Sequence, residues 1–517
     1  MPGAKKNQNR HKTFDRFSED KNPIKNIRNK MRQKFEQQFS VDVIPISAVK
    51  IPDYKRDELP PTLKALQYIF TNQELNQEVF SILEKAILSG KKKTGRIGMD
   101  LWHILVLGVV RMTLDINYDR LWDITNHHKL VRQIMGIESN NGFEDDKKIP
   151  YNTIRENVSL LDASTIDKIS ALVVKSGHQI VKKKDEKLII KADTYVLESN
   201  VHFPSDISLL WDSARKCLDV VTELRKAYPI NGWRKFKLWY KDLKKQWRIL
   251  SKACQSGGIN KEKQVKKQAT EYLRLANELN KKISQSKGQF NKLATSPLSL
   301  VQLLSLDYYH DMLCKHINLV ERRIIKGEVI PQNEKLYSIF ETHTEWKKKG
   351  KSNNKVELGH NILVASDQFQ FIVCHKVIFN QQDVELVIPL ADSLHMLFGE
   401  NAFESISLDK GFWKPENKLL LQMYYPNVIM PKKGNKNKAE REEETSKVFK
   451  KLRNKHSAVE SNINSLEHHG LNRCPDKGKK GFVKYAALGV LSYNLHRLGL
   501  IVMSKQAEKK PPIRKAA

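Results

Sequence analysis

Three acids far apart in the chain share a local setting that suits metal chemistry. Asp193 closes the apolar stretch LIIKAD, and Asp409 closes SISLD. Glu460 lies in KHSAVESNINSLEHHGLNRC, where Val459, Ile463 and Leu466 mark the buried face of a helix. Carboxylates at the C-terminal ends of strands, faced by a third from a helix, offer the hard oxygen donors that Mg²⁺ prefers. Two such ions about 4 Å apart activate an attacking oxygen and stabilise a leaving one. Taken singly, each acid reads equally as a turn or surface residue. With 58 Asp and Glu in the chain, Glu198, Asp367, Asp383 and Asp392 compete for the same role.

The elements that must position these acids follow from periodicity. KLIIKADTYVLESNVHF is rich in β-branched residues and reads as two strands around Asp193. HNILVASD, FQFIVCHKVIF, VELVIPL, ESISL and NVIMP read as further strands, with helices between and after them. The expected architecture is α/β, with one mixed sheet built from residues 183–204 and 355–503. Residues 205–354, which carry no strand signal, form a helical insertion. Within it Trp233, Phe236, Tyr240, Leu243, Trp247 and Leu250 recur at helical spacing and read as core. Residues 233–250 also hold seven Lys or Arg and one Asp, a basic face that suits phosphates. Val265, Ala269, Tyr272, Ala276, Leu279 and Ile283 make a heptad seam, short enough for an antiparallel hairpin.

Upstream, residues 60–182 read as an all-α domain. Asn152 is the expected N-cap of a helix carrying Arg155 and Asn157, both candidates for touching DNA. A helix-turn-helix module and a plain bundle fit this region equally. Residues 1–59 read as a basic arm, with 11 Lys or Arg against 4 Asp or Glu over positions 1–36, and residues 504–517 as a basic tail.

Composition narrows the partner. The 517 residues carry 90 Lys and Arg against 58 Asp and Glu, a net charge of +32, which points to a polyanion and above all to nucleic acid. The longest apolar run, Ile104 to Val110, is too short to span a bilayer, and the polar N-terminus lacks a signal-peptide core. No membrane partner is expected. Five scattered cysteines without a CxxC pair argue against a disulfide framework and fit a reducing interior. His468, His469 and Cys474 lack a second ligand pair for zinc.

Four blocks in order carry a resemblance: ADTYVLESNVHFPSDISLL, HTEWKKKGKSNNKVELGHNILVA, SISLDKGFW, and HSAVESNINSLEHHGL followed by GFVKYAALGVLSYNLHRLG. Together they resemble the catalytic blocks of bacterial insertion-sequence DDE transposases, in the branch with the five-type and ISNCY-like elements. The resemblance covers most of residues 95–503. It implies an RNase H-like core with Asp193, Asp409 and Glu460 as catalytic and metal-binding residues. It also implies Mg²⁺, with Mn²⁺ as substitute, and double-stranded DNA as element ends and target. A homo-oligomer in the synaptic complex and a place at the nucleoid in the bacterial cytoplasm follow from the same likeness.

One block departs from the pattern. Where related proteins carry Tyr-x2-Arg-x3-Glu-x6-Lys, this chain has Arg453, His456, Glu460 and Glu467. Lys410, Arg453, Lys455, His456 and Arg473 are the remaining candidates for contacting DNA, with Lys477 nearby. Asp367 and Asp392 are expected to be dispensable. A two-metal nuclease without joining activity and an inactivated, domesticated DNA-binding protein are the rival readings.

Overall fold

The computed structural model describes residues 35, 43–53, 56–90, 98–137, 148–348 and 356–508. Most of the basic arm, and residues 509–517 of the basic tail, lie outside the described residues. Among the described residues, the amphipathic spacing upstream of the sheet becomes seven α-helices: α1 (Leu59–Thr71), α2 (Gln73–Leu88), α3 (Leu101–Thr113), α4 (Tyr118–His127), α5 (Lys129–Met135), α6 (Tyr151–Val158) and α7 (Ala163–Val181). Polar side chains start several of them. Asn72 accepts from the Leu75 N–H, Asn117 from that of Arg120 and Asp162 from that of Thr165. Asn152 is not a cap. Pro150 holds that position, and Asn126 fixes the entering chain by bonding both the N–H and the C=O of Ile149.

The first strand, β1 (Leu188–Ser199), is a single one of 12 residues rather than two. It stays extended because β3 pairs with it from Lys191 to Glu198. The insertion follows as α8 (Asp206–Ala227), α9 (Phe236–Gln255), α10 (Lys261–Asn291) and α11 (Pro297–Val320), which ends in a π-helical turn at Glu321–Ile325. Contacts link α8 with α9, α9 with α10, α10 with α11 and α11 with α8, a four-helix bundle with its own apolar core. The heptad seam of α10 is buried from Ala269 to Ile283, as its spacing requires. Trp233, Leu243 and Leu250 are buried in the same core.

The sheet resumes earlier than residue 355, at β2 (Glu345–Lys348), and continues with β3 (Val356–Ser366) and β4 (Ile372–Val377). VELVIPL is not a strand. It becomes a 3-10 turn at Asp383–Leu386 and then α12 (Val387–Phe398), which buries Val387, Leu390, Ala391 and Leu394. A short apolar run does not distinguish a buried strand from a buried helix, and here the following ADSLHMLF extends the helical period. The chain then runs through β5 (Phe403–Leu408), α13 (Pro415–Tyr424), β6 (Asn427–Ile429), α14 (Lys438–Thr445), α15 (Lys447–His456), α16 (Ala458–Leu466), β7 (Arg473–Cys474) and α17 (Gly478–Glu508).

The seven strands form one mixed sheet in the order β2-β3-β1-β5-β6, with β4 also on β3 and β7 also on β1. β1 is antiparallel to β3 and parallel to β5. The apolar core of the sheet is continuous with that of the seven upstream helices, through α17. α17 packs on α1, α3 and α7, and Asn494 ties three elements by bonding Ser170 of α7 and both backbone groups of Ile372 in β4. By length and composition α17 is apolar enough to cross a membrane, but 83% of that window is buried inside the protein.

Candidate active site

Strand register brings the first two acids together. Asp193 does not end its strand; it lies mid-strand in β1, opposite Val364 of β3. What ends there is the parallel ladder between β1 and β5, whose last pair is Ala192 with Leu408. The next residue on each chain is a carboxylate. Asp193 and Asp409 therefore leave the ladder side by side, on strands about 4.8 Å apart.

Local structure leaves Asp409 uncommitted. It precedes a 3-10 turn, Lys410–Phe412, at a position where aspartate usually caps with its side chain. It makes no such bond, and it is exposed. The third acid comes from α16, which packs on β1 and β3. Val459, Asn462 and Leu466 are its buried residues, and Tyr493 of α17 hydrogen-bonds Asn462 at 3.1 Å. That anchoring leaves Glu460 exposed.

The charges of these residues meet at Asp193. Burial above all, and then the charges of Asp409, Asp383 and Glu460, push its carboxyl up to about 6, against the Thr194 N–H that Asp193 Oδ1 accepts at 2.7 Å. Asp383 is thus a fourth carboxylate of the cluster. It enters from the turn before α12, 3.4 Å from Thr194 Oγ1, and a Cβ on Gly411 would stand 3.0 Å from its Oδ2. Burial raises Asp383 too, with Asp409 adding to the effect. Among the acids that competed with the triad in the sequence, nothing local distinguished Asp383, because a turn far along the chain, after β4, delivers it.

Glu467 sits elsewhere. Its charge reaches Tyr195, whose phenol burial already raises, and Tyr195 lies one two-residue step along β1 from Asp193. Along the helix run, then, the charge of Glu460 reaches Asp193 and that of Glu467 reaches Tyr195. Asp367 and Asp392 are outside the cluster. Asp392 is exposed on α12, whereas Asp367 is fully buried and accepts from the Phe369 and Phe371 N–H groups and pairs with His178 at 2.5 Å. Asp367 is a structural hub, so its replacement bears on stability even though it is remote from the site. Glu198 is paired with Arg473 at 2.8 Å.

The basic candidates divide. His456 is half-buried at the end of α15, hydrogen-bonded to Ser407 of β5 at 3.0 Å. Burial lowers its imidazole, while the charges of Asp409 and Glu460 work the other way. Lys410, Arg453 and Lys455 are exposed, and the charge of Arg453 also reaches His456. Arg473 is exposed but engaged by Glu198. Arg155 is exposed on α6 with its guanidinium 5.9 Å from the Tyr151 ring centre. Asn157 does not face solvent: it is 7% exposed and donates to the Thr153 carbonyl, so a direct base contact is ruled out in this conformation.

Three carboxylates match Mg²⁺ in kind, and Asp193, raised mainly by burial and secondarily by the charges of Asp409, Asp383 and Glu460, would be eased by a cation beside it. The side chains are not closed into a cage: among the described residues no group of three or more His, Cys, Asp or Glu is arranged to hold a metal ion.

The raised carboxyl has a measurable consequence. The folded protein keeps the Asp193 proton at a pH where the unfolded chain, near its ordinary 3.8, has released it. The resulting stability is fully present below about pH 4 and is lost as the pH rises through about 6, on the order of 3 kcal/mol. In metal-free protein, Asp193→Asn should therefore gain on wild type in unfolding experiments as the pH is raised across that window. Parallel stability curves would exclude Asp193 as the titrating group. Comparison with known proteins returns no match: no family model fits the chain, and no curated protein or solved structure is similar to it.

Proposed function

We propose that this protein is a DDE-type DNA transposase that binds the ends of its insertion sequence and carries out Mg²⁺-dependent cleavage and strand transfer. The observation that carries the proposal is the β1–β5 register, which sets Asp193 beside Asp409, with the charge of Glu460 also reaching Asp193. An RNase H-like identity for the core is supported by a mixed sheet with antiparallel strands on one side of β1 and parallel strands on the other. The net charge of +32 supports a nucleic-acid substrate.

Asp193, Asp409 and Glu460 would hold the Mg²⁺, or Mn²⁺ in its place. Bound there, the metal supplies Lewis acidity to the attacking and leaving oxygens of a phosphodiester. The chain's own part is positioning. The sheet fixes two carboxylates, and α16, locked by Asn462 and Tyr493, fixes the third. His456, tied to Ser407, keeps α15 against the end of β5. Exposed Lys410, Arg453 and Lys455 offset the repulsion between the acids and an incoming phosphate. The protein acts as a homo-oligomer in a synaptic complex, at the nucleoid in the bacterial cytoplasm.

The test uses the full chain and linear DNA bearing the inverted repeats that flank its gene. Mg²⁺ should yield cuts that expose a 3′-hydroxyl at the element ends, and pre-cut ends should be joined to a target duplex. Cleavage without joining would make it a two-metal nuclease. End binding without cleavage would make it a DNA-binding protein that has lost its chemistry.

A further inference from the structure

One face of the insertion bundle carries charges that no ion pair with a described residue offsets. Lys237, Lys241, Lys245, Arg248 and Lys252 of α9 are all exposed, at steps of 4, 4, 3 and 4 residues. At 100° per residue they fall within an arc of about 80°, a stripe about 22 Å long on a straight helix. The buried residues of α9, Leu243, Gln246 and Leu250, lie on the opposite side, so the bundle core fixes which way the stripe faces.

Like charges three and four residues apart destabilise a helix by a few tenths of a kcal/mol per pair. Other bundle helices relieve this in part by interleaving acids. Lys226 pairs with Glu223, Lys266 with Glu262, and Arg274 with Glu271 and Glu278. None of the five α9 cations forms an ion pair with any described residue, and the only acid in the helix is Asp242. A solvated surface without a partner would gain from interleaved acids of the kind found at Lys226, Lys266 and Arg274. An unneutralised, rigid, straight row suits a polyanion of regular charge spacing. A membrane surface fits less well, because most of the apolar side of α9 is consumed by the bundle core and only Leu238 and Ile249 of its aliphatic residues stay exposed beside the stripe, too few to insert into a bilayer.

We infer that the α9 stripe is a docking surface for the phosphate backbone of double-stranded DNA, separate from the carboxylate cluster and indifferent to sequence. The inference rests on the transposase reading for its choice of duplex. A stripe of this length spans about two-thirds of a helical turn of DNA, enough to follow one stretch of backbone. The bundle would thereby hold DNA that the catalytic core does not itself read.

The test is binding of the full chain to a random-sequence duplex across a salt series. Each phosphate neutralised contributes about −0.9 to the slope of log K against log salt. Changing Lys237, Lys241, Lys245, Arg248 and Lys252 together to Gln should make the slope shallower by up to about 4.5. A matched variant with Lys226, Lys266, Arg274, Arg322 and Lys326 changed to Gln removes the same charge from paired positions and should alter the slope by less than about 1. Equal slopes for the two variants would overturn the inference, whatever the catalytic activity. If wild type cuts element ends and the stripe variant keeps its full salt slope, the transposase reading stands and the docking surface falls. If the stripe binds single-stranded RNA or an acidic peptide in preference to duplex, the choice of DNA falls.

Discussion

Asp193→Asn, Asp409→Asn and Glu460→Gln should each lower Mg²⁺-dependent cleavage of element ends by about a thousandfold or more, equivalent to about 4 kcal/mol of transition-state stabilisation. Each change removes charge and keeps bulk, so end binding should stay close to wild type. Two of the three side chains are exposed and the other is half-buried, which limits any effect on folding. Glu467→Gln is the informative contrast. Its carboxylate acts at Tyr195 rather than at Asp193, so the variant should keep at least part of the activity and bind ends as well as or better than wild type. Asp392→Asn, on the outer side of α12, should cut normally. The measurement is single-turnover cleavage beside a binding titration for every variant. A triad variant that cuts at near wild-type rate would remove that residue from the site, and the reverse pattern for the two glutamates would move the third ligand two turns along.

Gly499→Ala should unsettle the whole assembly. Gly499 is buried in α17, where a Cβ would come within 1.7 Å of the Pro61 carbonyl oxygen and 2.4 Å of its carbon. Those are backbone atoms of α1, so no side-chain rotation relieves the clash. The two helices must separate, at a cost of about 3 kcal/mol. Because α17 also packs on α3 and α7 within the core shared with the sheet, the loss should appear as one cooperative unfolding transition at lower temperature or denaturant. Gly257→Ala, with nothing within 4 Å of the added carbon, should stay within about 0.5 kcal/mol of wild type. A Gly499→Ala protein as stable as that control would show that α1 and α17 can separate without cost.

Local periodicity made much of the chain legible. The helical insertion, the buried seam of α10 and the opposed apolar and basic faces of α9 all follow from the spacing of side chains along one helix. So does the buried side of α16, and with it the outward position of Glu460. These are properties of 3.6-residue geometry, which neighbours in sequence settle among themselves.

Pairing between distant segments was decided only by the tertiary structure. Asp193 reads as a strand end because an apolar run stops there, yet β3 holds the strand extended for six more residues, to Ser199. VELVIPL has strand composition, but α12 gains more by continuing its helical period into the sheet's apolar face. Asp383 joins the carboxylates through a turn far along the chain from Asp193, and Asn157 turns inward because α6 is packed against its neighbours. The three acids were visible one at a time. That Asp193 stands beside Asp409 depends on a parallel register between strands more than two hundred residues apart, and such a register is set by burial on both faces of the sheet, which no local window of sequence contains.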